Sequence, residues 1–235
     1  MISMKERSYE KELLDQDDIP FDDILVNLRE LNMVNTLLGG HKITCKGVDF
    51  FLQKIQGDET LTIAEIGCGG GDNLLAIDNF FQVKKQPVAL IGVDIKTECI
   101  QYAQQHKPAN SIWICSDYRE TIWPGKKPDI IFSSLFCHHF TDEELVMQLT
   151  WLKENSRLGF FINDLHRHPA AYYSIKLLTR ILSRSYLVKN DAPLSVMRGF
   201  KKRDWIKLLS AAGISNYQIK WQWAFRYLVC VTNEQ

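Results

Sequence analysis

The chain contains 235 residues, and its 28 Lys and Arg side chains balance its 28 Asp and Glu side chains. A chain without net charge lacks the strongly basic surface that nucleic-acid-binding proteins use, and this length is typical of one globular domain. The six cysteines are widely spaced and form no C-x-x-C pair, which favours free thiols over a disulfide framework or a zinc site. The sequence shows no signal segment and no apolar run of membrane-spanning length, so we expect a cytoplasmic protein.

The first 57 residues are predicted to form a helical segment ahead of the main domain. Residues 1–20 are highly charged and end in Asp-Asp-Ile-Pro, so we expect them to be mobile until the domain or a ligand holds them. A helix is predicted from Pro20 to the Gly-Gly-His stop at His41, because Pro and Asp mark a helix start and Gly marks its end. A second helix is predicted from Cys45 to Gln56.

The stretch Glu65–Asn73 reads E-I-G-C-G-G-G-D-N and follows the apolar run Leu61–Ile66. This pattern predicts a buried strand, a glycine turn and the first turn of a helix. Glycines permit positive φ and a close approach of the backbone to a ligand, while free amides at the helix start act as donors. Dinucleotide sites use G-x-G-x-x-G to face a pyrophosphate. Here, carboxylates at Glu65 and Asp72 favour a ligand with cationic groups, such as S-adenosylmethionine.

Acids also end the next two predicted strands. Leu90–Ile95 carries Asp94 about twenty residues after the glycines, the spacing at which a carboxylate binds two ribose hydroxyls. Ile112–Tyr118 carries Asp117 near its end. Taken singly, each acid could instead be a turn residue or a helix cap.

With these three motifs, the chain resembles the class I S-adenosylmethionine-dependent methyltransferases from about Leu61 to the C-terminus. The resemblance implies S-adenosylmethionine as the cofactor, with Asp117 accepting from the adenine amine and the next side chain lining the ring. In small-molecule members, an N-terminal helical pair closes over the cofactor as a lid; plain packing helices are the alternative. The predicted cofactor-binding residues are Glu65, Gly67, Cys68, Gly69, Gly71, Asn73, Asp94, Ile95, Asp117, Tyr118, Ser133 and Leu135.

The remaining strands are predicted at Pro128–Phe136, Ser156–Asn163, Tyr217–Ala224 and Tyr227–Thr232. The expected fold is therefore α/β, a Rossmann-like doubly wound sheet of seven strands that is mostly parallel and has an antiparallel last strand. We predict an N-terminal helical lid (residues 1–57) and a methyltransferase domain (residues 58–235) with a helical insertion (residues 168–200). Four cysteines in or beside strands are expected to be buried: Cys68, Cys115, Cys137 and Cys230.

Four of the six histidines follow the fourth and fifth strands. Because ligands on a parallel sheet bind at the carboxyl ends of the strands, we predict that His138, His139, His166 and Asp164 are catalytic. A neutral imidazole with a pKa of ~6.5 suits the removal of a proton from a phenol or an enol, and Asp164 could orient it. The alternatives are structural capping and a metal site. No acid or cysteine at ligand spacing supports a metal, so none is predicted.

The insertion is expected to determine the acceptor. One face of its first helix is aromatic and aliphatic, and residues 192–198 are predicted to be a loop, which favours an apolar or aromatic acceptor. Residues 163–167 and 191–196 also resemble, more loosely, bacterial methyltransferases associated with polyketide-derived phenolic lipids and quinones. The basic face of the helix could touch a membrane surface, although a solvated face is the simpler interpretation. The predicted substrate-pocket residues are His41, Arg167, Tyr172, Tyr173 and Met197.

The sequence thus predicts S-adenosylmethionine-dependent O-methylation of a phenol or quinol, and the acceptor is expected to be small and apolar or aromatic. The protein is expected to be a monomer or homodimer that neither binds nucleic acid nor inserts stably into a membrane. Methylation of protein or nucleic acid is one alternative. Against it, the charge is neutral and Ser133–Phe136 stands where an Asn/Asp-Pro-Pro-aromatic signature would be. An NAD-dependent oxidoreductase or a non-catalytic cofactor-binding protein is the alternative from another class.

Overall fold

The computed structural model describes residues 4–16, 18–54, 60–106, 108 and 111–233. Its strands are β1 (Leu61–Ile66), β2 (Val88–Asp94), β3 (Ser111–Cys115), β4 (Ile130–Ser134), β5 (Gly159–Leu165), β6 (Tyr217–Gln222) and β7 (Arg226–Thr232). They form a seven-stranded sheet in the order β3-β2-β1-β4-β5-β7-β6. The first five strands pair in parallel, and β7 runs antiparallel to both of its neighbours. The predicted fold is confirmed.

Helices cover both faces of the sheet. They are α1 (Phe21–Leu37), α2 (Gly40–Leu52), α3 (Asp72–Lys84), α4 (Thr97–His106), α5 (Asp142–Asn155), α6 (Pro169–Leu182), α7 (Tyr186–Arg198) and α8 (Lys202–Ala211). Short 3-10 helices lie at Leu13–Asp15, Tyr118–Glu120 and Cys137–His139. Among the described residues, no helix combines the length and the apolar character needed to cross a membrane.

Two apolar cores result from the alternation of side chains along the strands. Ile63 of β1 packs on one face with Phe51 of α2 and Leu74 of α3. Ile66 of the same strand belongs to the core on the other face, together with Trp205 of α8. Burial of each such side chain contributes roughly 1.5–3 kcal/mol. The sheet is therefore held rigidly from both sides.

The position of β1 determines where a ligand can bind. The chain places β2 on one side of β1 and β4 on the other, so the strand order reverses at β1. In open α/β sheets, ligands bind at the carboxyl ends of the strands beside such a reversal. The glycine turn after Ile66 and the histidine turn Cys137–His139 after β4 lie at this edge.

The N-terminal segment, which was predicted to be mobile, lies against the domain. The guanidinium of Arg7 is buried, donates to the carboxylate of Asp142 at 2.7 Å and lies 4.3 Å from the ring centre of Phe200. It also donates to the carbonyl oxygens of Arg198 and Phe140, each at 2.9 Å. The segment was expected to be mobile until the domain or a ligand held it, and these contacts show the domain holding it.

Residues 192–198, which were predicted to be a loop, complete helix α7. The side chain of Ser185 caps the helix start by accepting from the amide of Val188, and Leu187 is fully buried. The helix continues through Pro193, whose position inside a helix disfavours it by about 3 kcal/mol. Apolar packing outweighs this penalty, and the Ala-Pro pair was therefore a misleading loop signal.

Some predicted boundaries also differ from the structure. Helix α2 begins at Gly40 instead of Cys45, because Gly39 adopts φ +75° and lets the chain restart a helix directly after α1. Strand β3 ends at Cys115, whose side chain is exposed and not buried as predicted. The predicted helix end at Gln56 and the division between residues 57 and 58 lie outside the described residues.

Candidate active site

The glycine turn between β1 and α3 brings backbone to the edge of a cavity. Gly67, Gly69 and Gly71 have φ values of +64°, +50° and +75°, which other residues rarely adopt. A Cβ at Gly67 would lie 2.2 Å from the ring of Phe136. The amide of Gly69 donates to the carboxylate of Asp94 at 2.8 Å. The turn is therefore tied to the end of β2 and has no room for a side chain at Gly67.

Glu65 carries a buried oxygen that lacks a partner. Its side chain is 0% exposed, and its Oε1 accepts from the Asn73 amide at 2.8 Å. Among the described residues, no group donates to Oε2. Burial raises the pKa of the carboxyl well above its usual value, and the charges of Asp72 and Asp94 raise it further. An ammonium group would pair with Oε2 and favour the ionised form, as expected of the cationic ligand predicted from the sequence.

Asp94 holds the turn in place with both of its oxygens. One accepts the amide of Gly69 at 2.8 Å, and the other accepts the amide of Lys96 at 2.9 Å. Burial raises the pKa of this carboxyl, although the two amides oppose that effect. The side chain lines the cavity together with Ile95. Each carboxylate oxygen has a further lone pair, so Asp94 can still accept from the ribose hydroxyls predicted from the sequence.

The cavity has a volume of about 680 Å³ and extends from the glycine turn to the histidine turn. Helix α1 lines it with Leu28, Leu31 and Val34, and the N-terminal segment with Glu12 and Asp15. The predicted cofactor-binding residues that line it are Glu65, Gly67, Cys68, Gly69, Asn73, Asp94, Ile95 and Leu135. Most of the predicted donor side thus lies on one continuous surface.

Four predicted cofactor residues do not line this cavity: Gly71, Asp117, Tyr118 and Ser133. The carboxylate of Asp117 is bound by Arg119 at 2.5 Å, and this bond keeps the pKa of Asp117 below its usual value. The ring of Tyr118 packs edge-on against Phe136, with 6.1 Å between the ring centres, and Ser133 is fully buried. A role of Asp117 in adenine binding stays a prediction. It requires that Arg119 share the carboxylate.

Two histidines and three carboxylates meet at the other end of the cavity. His138 Nδ1 lies 2.8 Å from Asp164 Oδ1, and His139 Nδ1 lies 3.0 Å from Asp15 Oδ1. Because an ionised carboxylate only accepts, each Nδ1 carries the hydrogen. The Nε2 atoms face the carboxylate of Glu12 at 3.6 Å and 3.9 Å. We call these five residues the histidine cluster.

The charged groups of the histidine cluster shift one another's pKa values. Burial raises the pKa of Asp164, but the charge and hydrogen bond of His138 outweigh it, so this pKa lies below its usual value. Asp15 behaves in the same way beside His139. Burial lowers the pKa of His139, but the bond to Asp15 and the charge of Glu12 outweigh it and raise this pKa. Asp164 therefore orients an imidazole, one of the two roles that the sequence left open.

Glu12 and Asp15 are site residues that the sequence analysis missed. Glu12 is 4% exposed and accepts from the hydroxyl of Ser195 at 2.7 Å. Arg198, at the end of α7, donates to the carbonyl oxygens of both cluster histidines at 2.9 Å and 2.7 Å. Helix α7 thus fixes the N-terminal segment and the histidine turn against each other. No local signal distinguishes these acids from the other charged residues around them.

Arg226, at the start of β7, is another residue that the sequence analysis missed. It donates to Asn35 Oδ1 at 2.9 Å and lies 3.5 Å from Asn163 Oδ1. Burial lowers the pKa of Arg226 to about 10, and among the described residues no group accepts from its Nε. The side chain lines the same cavity as Glu65. Both residues line the cavity, and each has one buried polar atom without a partner among the described residues, a carboxylate oxygen and a guanidinium N–H. Their opposite charges complement the ammonium and carboxylate of an amino acid.

Two of the predicted histidines do not line the cavity. His166 Nδ1 accepts from the Trp221 indole at 3.3 Å, and its ring packs edge-on against Tyr227 of β7. Burial and neighbouring basic groups lower the pKa of His166 to about 4. His41 Nδ1 lies 2.8 Å from Asn73 Oδ1. His41 thus contacts the residue that binds Glu65, while His166 lies beside the closing hairpin.

The other predicted substrate-pocket residues also lie outside the cavity lining. Arg167 is buried and pairs with Asp204 at 2.9 Å. Tyr172 and Met197 pack in a small apolar cluster between α6 and α7, and Tyr173 is 55% exposed. The insertion contributes to the cavity through different residues: Ile175, Val188, Asp191, Ala192, Ser195, Val196 and Arg198. The insertion thus lines the cavity with side chains other than the predicted ones, and its role in determining the acceptor stays a prediction.

Residues 63–157 match a protein family described as a methyltransferase domain. No curated protein matches the sequence. Among solved structures, the plantazolicin methyltransferase BpumL in complex with SAH aligns with a TM-score of 0.64 and 18% identity, over 91% of this chain and 90% of that chain. At this identity, the likeness concerns the fold.

Two further solved structures are similar over most of this chain. Magnesium protoporphyrin IX methyltransferase (ChlM) from Synechocystis PCC 6803 with bound SAH has a TM-score of 0.56 and 15% identity, over 93% of this chain and 90% of that chain. Human N-acetylserotonin methyltransferase in complex with SAM has a TM-score of 0.62 and 15% identity, over 92% of this chain and 57% of that chain. They share the sheet topology that the sequence predicted.

Proposed function

We propose that the protein is a class I S-adenosylmethionine-dependent methyltransferase that methylates a hydroxyl oxygen of a small aromatic or lipophilic acceptor, a phenol or quinol. The match of residues 63–157 to a methyltransferase-domain family supports the type of reaction. One observation carries the proposal. A single cavity is lined by Glu65 and Arg226, each with a buried unpaired polar atom, and by four residues of the histidine cluster, Glu12, Asp15, His138 and His139. Groups that fit the amino acid part of a methyl donor and groups that can remove a proton thus share one space.

At the donor end, Glu65 binds the ammonium of S-adenosylmethionine, Arg226 its carboxylate and Asp94 its ribose hydroxyls. The glycine turn provides close approach, and the predicted adenine partner is Asp117. S-adenosylmethionine supplies a sulfonium methyl with its leaving group already attached. The protein therefore needs mainly to align the two reactants and to exclude water.

At the acceptor end, Asp164 fixes the tautomer of His138, so that Nε2 carries the free lone pair. The acceptor oxygen forms a bond to the methyl carbon, the bond between carbon and sulfur breaks, and the hydroxyl proton passes to Nε2. S-adenosylhomocysteine is the second product. The carboxylate of Glu12 and the ring of His139 orient the acceptor.

The size and lining of the cavity support a small acceptor. Apolar side chains of α1, α6 and α7 line much of it, among them Leu31, Ile175 and Val188, and such surface favours an apolar or aromatic group. The similar solved structures are named for plantazolicin, magnesium protoporphyrin IX and N-acetylserotonin. The cytoplasmic location, the lid and the oligomeric state stay predictions.

The proposal is tested by transfer of a labelled methyl group from S-adenosylmethionine into a bacterial extract. The label is then partitioned between organic solvent, water and an acid precipitate. We expect label in the organic phase. Label in the precipitate would mean a macromolecular acceptor and would overturn the proposal.

A variant series tests the proposed base. His138→Gln is expected to lower the transfer rate by roughly 10²- to 10⁴-fold while the affinity for S-adenosylhomocysteine stays within about twofold. His106→Gln, on the exposed end of α4, is the matched control and should retain the full rate. Equal losses of rate and affinity in His138→Gln would assign this residue to the support of the fold.

A further inference from the structure

Three possible metal ligands converge at the centre of the histidine cluster. One carboxylate oxygen of Glu12, one nitrogen of His138 and one nitrogen of His139 lie within 4.8 Å of one another. The Nε2 atoms lie 3.6 Å and 3.9 Å from the Glu12 carboxylate. The three side chains are 4%, 3% and 22% exposed. They belong to segments that are far apart in the chain, so the fold brings them together.

The second nitrogen of each ring is already occupied. Asp164 accepts from Nδ1 of His138, and Asp15 accepts from Nδ1 of His139. Histidines that bind metals commonly donate their other N–H to a carboxylate, which fixes the tautomer and raises the basicity of the ligand. Both Nε2 lone pairs are then directed towards a third acceptor, the carboxylate of Glu12.

The three groups gain from a positive charge between them, which a proton on an imidazole or a metal ion can supply. The Nε2-to-carboxylate distances exceed those of hydrogen bonds. Ligand atoms about 2.1 Å from a metal ion are roughly 3.0–3.4 Å apart, depending on the coordination geometry. The separations of 3.6 Å and 3.9 Å, which involve different oxygens of Glu12, therefore need to shrink by about 0.2–0.9 Å around an ion.

Arg198 is a competing cation beside the cluster, and its Nη1 lies 3.5 Å from the carboxylate of Asp15. Its Nε lies 3.9 Å from Glu12, beyond hydrogen-bond distance. Its N–H groups donate instead to backbone carbonyl oxygens of Glu10, His138 and His139 at 2.6–2.9 Å. Arg198 thus holds the backbone of both segments that supply the ligands, and the acceptor atoms of the ligands face a common centre.

We propose that Glu12, His138 and His139 bind a divalent first-row transition metal ion. Two imidazoles and one carboxylate suit ions such as Zn²⁺, Fe²⁺ or Co²⁺, and three protein ligands leave coordination positions open. All three ligands line the cavity, so an acceptor oxygen can take an open position. The protein then has a metal centre at the acceptor end of its site.

The role of the ion in the reaction rests on the proposed function, whereas its binding does not. A bound ion lowers the pKa of a coordinated hydroxyl, so the acceptor loses its proton to solvent before the methyl group arrives. In this mechanism the imidazoles bind the ion, and His138 does not act as the base. Sensitivity of the transfer rate to a chelator separates the two mechanisms.

The binding test uses the full chain after dialysis against EDTA. Titration with Co²⁺ should give visible absorption bands of a histidine-ligated ion and saturate at about one ion per chain. Glu12→Gln and His139→Gln should weaken binding at least about tenfold, and Asp164→Asn by about 10- to 100-fold through the lost support of His138. Glu10→Gln, an exposed position in the same segment, is the control and should bind like the wild type.

A second readout does not depend on activity. Because Glu12 belongs to the N-terminal segment, the ion should slow proteolytic cleavage within residues 4–16 in the wild type but not in Glu12→Gln. Co²⁺ affinity that is equal in Glu12→Gln and the wild type, or no absorption band at one equivalent, would overturn the metal site.

The outcomes for the ion and for the proposed function are distinguishable. Affinity for S-adenosylhomocysteine, measured without metal, reports on the donor end alone. A bound ion together with label in the acid precipitate would support the metal site and overturn the small acceptor. A transfer rate that is the same after EDTA treatment would overturn the role of the ion in the reaction.

Discussion

Replacement of Glu65 by Gln isolates the charge at the donor end of the cavity. Gln has nearly the same size, and its Oε1 can still accept from Asn73, which donates to Glu65 Oε1 at 2.8 Å in the wild type. The new NH₂ group stands where the unpaired Oε2 was. The substitution therefore keeps the packing of β1 and removes the acceptor that the ammonium of S-adenosylmethionine would use.

The expected loss follows from one charged hydrogen bond in a fully buried place. Such a bond contributes about 1.5–3 kcal/mol, and about 1.4 kcal/mol corresponds to tenfold in affinity. Affinity for S-adenosylhomocysteine should thus fall by roughly 10- to 150-fold. Stability should not fall. Burial raises the pKa of Glu65, so the wild type loses stability as the pH rises above the ordinary carboxyl pKa, and the Gln variant lacks this loss.

The assay is titration calorimetry with S-adenosylhomocysteine in buffers of different ionisation enthalpy. Below the raised pKa of Glu65, the wild type should release a proton on binding, because the ammonium favours the ionised carboxylate. The Gln variant should not. 5′-Methylthioadenosine lacks the amino acid group and should bind both proteins equally. Unchanged affinity for S-adenosylhomocysteine, or equal losses for both ligands, would refute the assignment of Glu65 to the ammonium.

Three further changes test other parts of the structure. Asp94→Ala should weaken S-adenosylhomocysteine binding by about 1–3 kcal/mol through lost charged hydrogen bonds, and calorimetry with unchanged affinity would remove Asp94 from the site. Arg7→Met should lower the free energy of unfolding in urea by about 2–4 kcal/mol, because Asp142 and two carbonyl oxygens lose their donor; a change below about 0.5 kcal/mol would mean that Arg7 does not hold the N-terminal segment. The pKa of His166 is lowered to about 4, so its contribution is complete above the unfolded pKa of ~6.5 and is lost as the pH falls towards 4. As the pH falls towards 4, the free energy of unfolding of His166→Gln should therefore decrease by about 1 kcal/mol less than that of the wild type, with allowance for solvent screening. Identical pH profiles of the two proteins would contradict the lowered pKa of His166.

The donor end could be predicted because its signals are local. Glu65, the glycines and Asp94 occupy one strand-turn-helix unit and the end of the next strand, and parallel pairing of β1 with β2 brings them together. His138 and Asp164 were also both predicted as site residues, although the sequence did not indicate which imidazole Asp164 contacts. Both follow neighbouring strands, and their side chains meet at 2.8 Å. Sequence patterns locate such residues because all of them follow strands that end at the same edge of the sheet.

Position at a strand end does not specify the direction of a side chain. His166 follows β5 as His138 follows β4, yet its ring contacts Tyr227 of β7 and not the cavity. Strand β5 lies between β4 and β7, so a residue at its end can turn to either neighbour. The ring of His166 packs against aromatic residues of the closing β6–β7 hairpin instead of pointing into the cavity.

The N-terminal segment could not be predicted because its partners are distant. Arg7 and its partner Asp142 are separated by 135 residues in the chain, and Glu12 is equally remote from the histidine turn. Burial of an ionised group is penalised by several kcal/mol unless partners replace the lost water. The partners of Arg7 and Glu12 are on α5, α7 and the histidine turn. The segment can therefore dock only after these elements have assembled, and its docking and the completion of the acceptor end are one event.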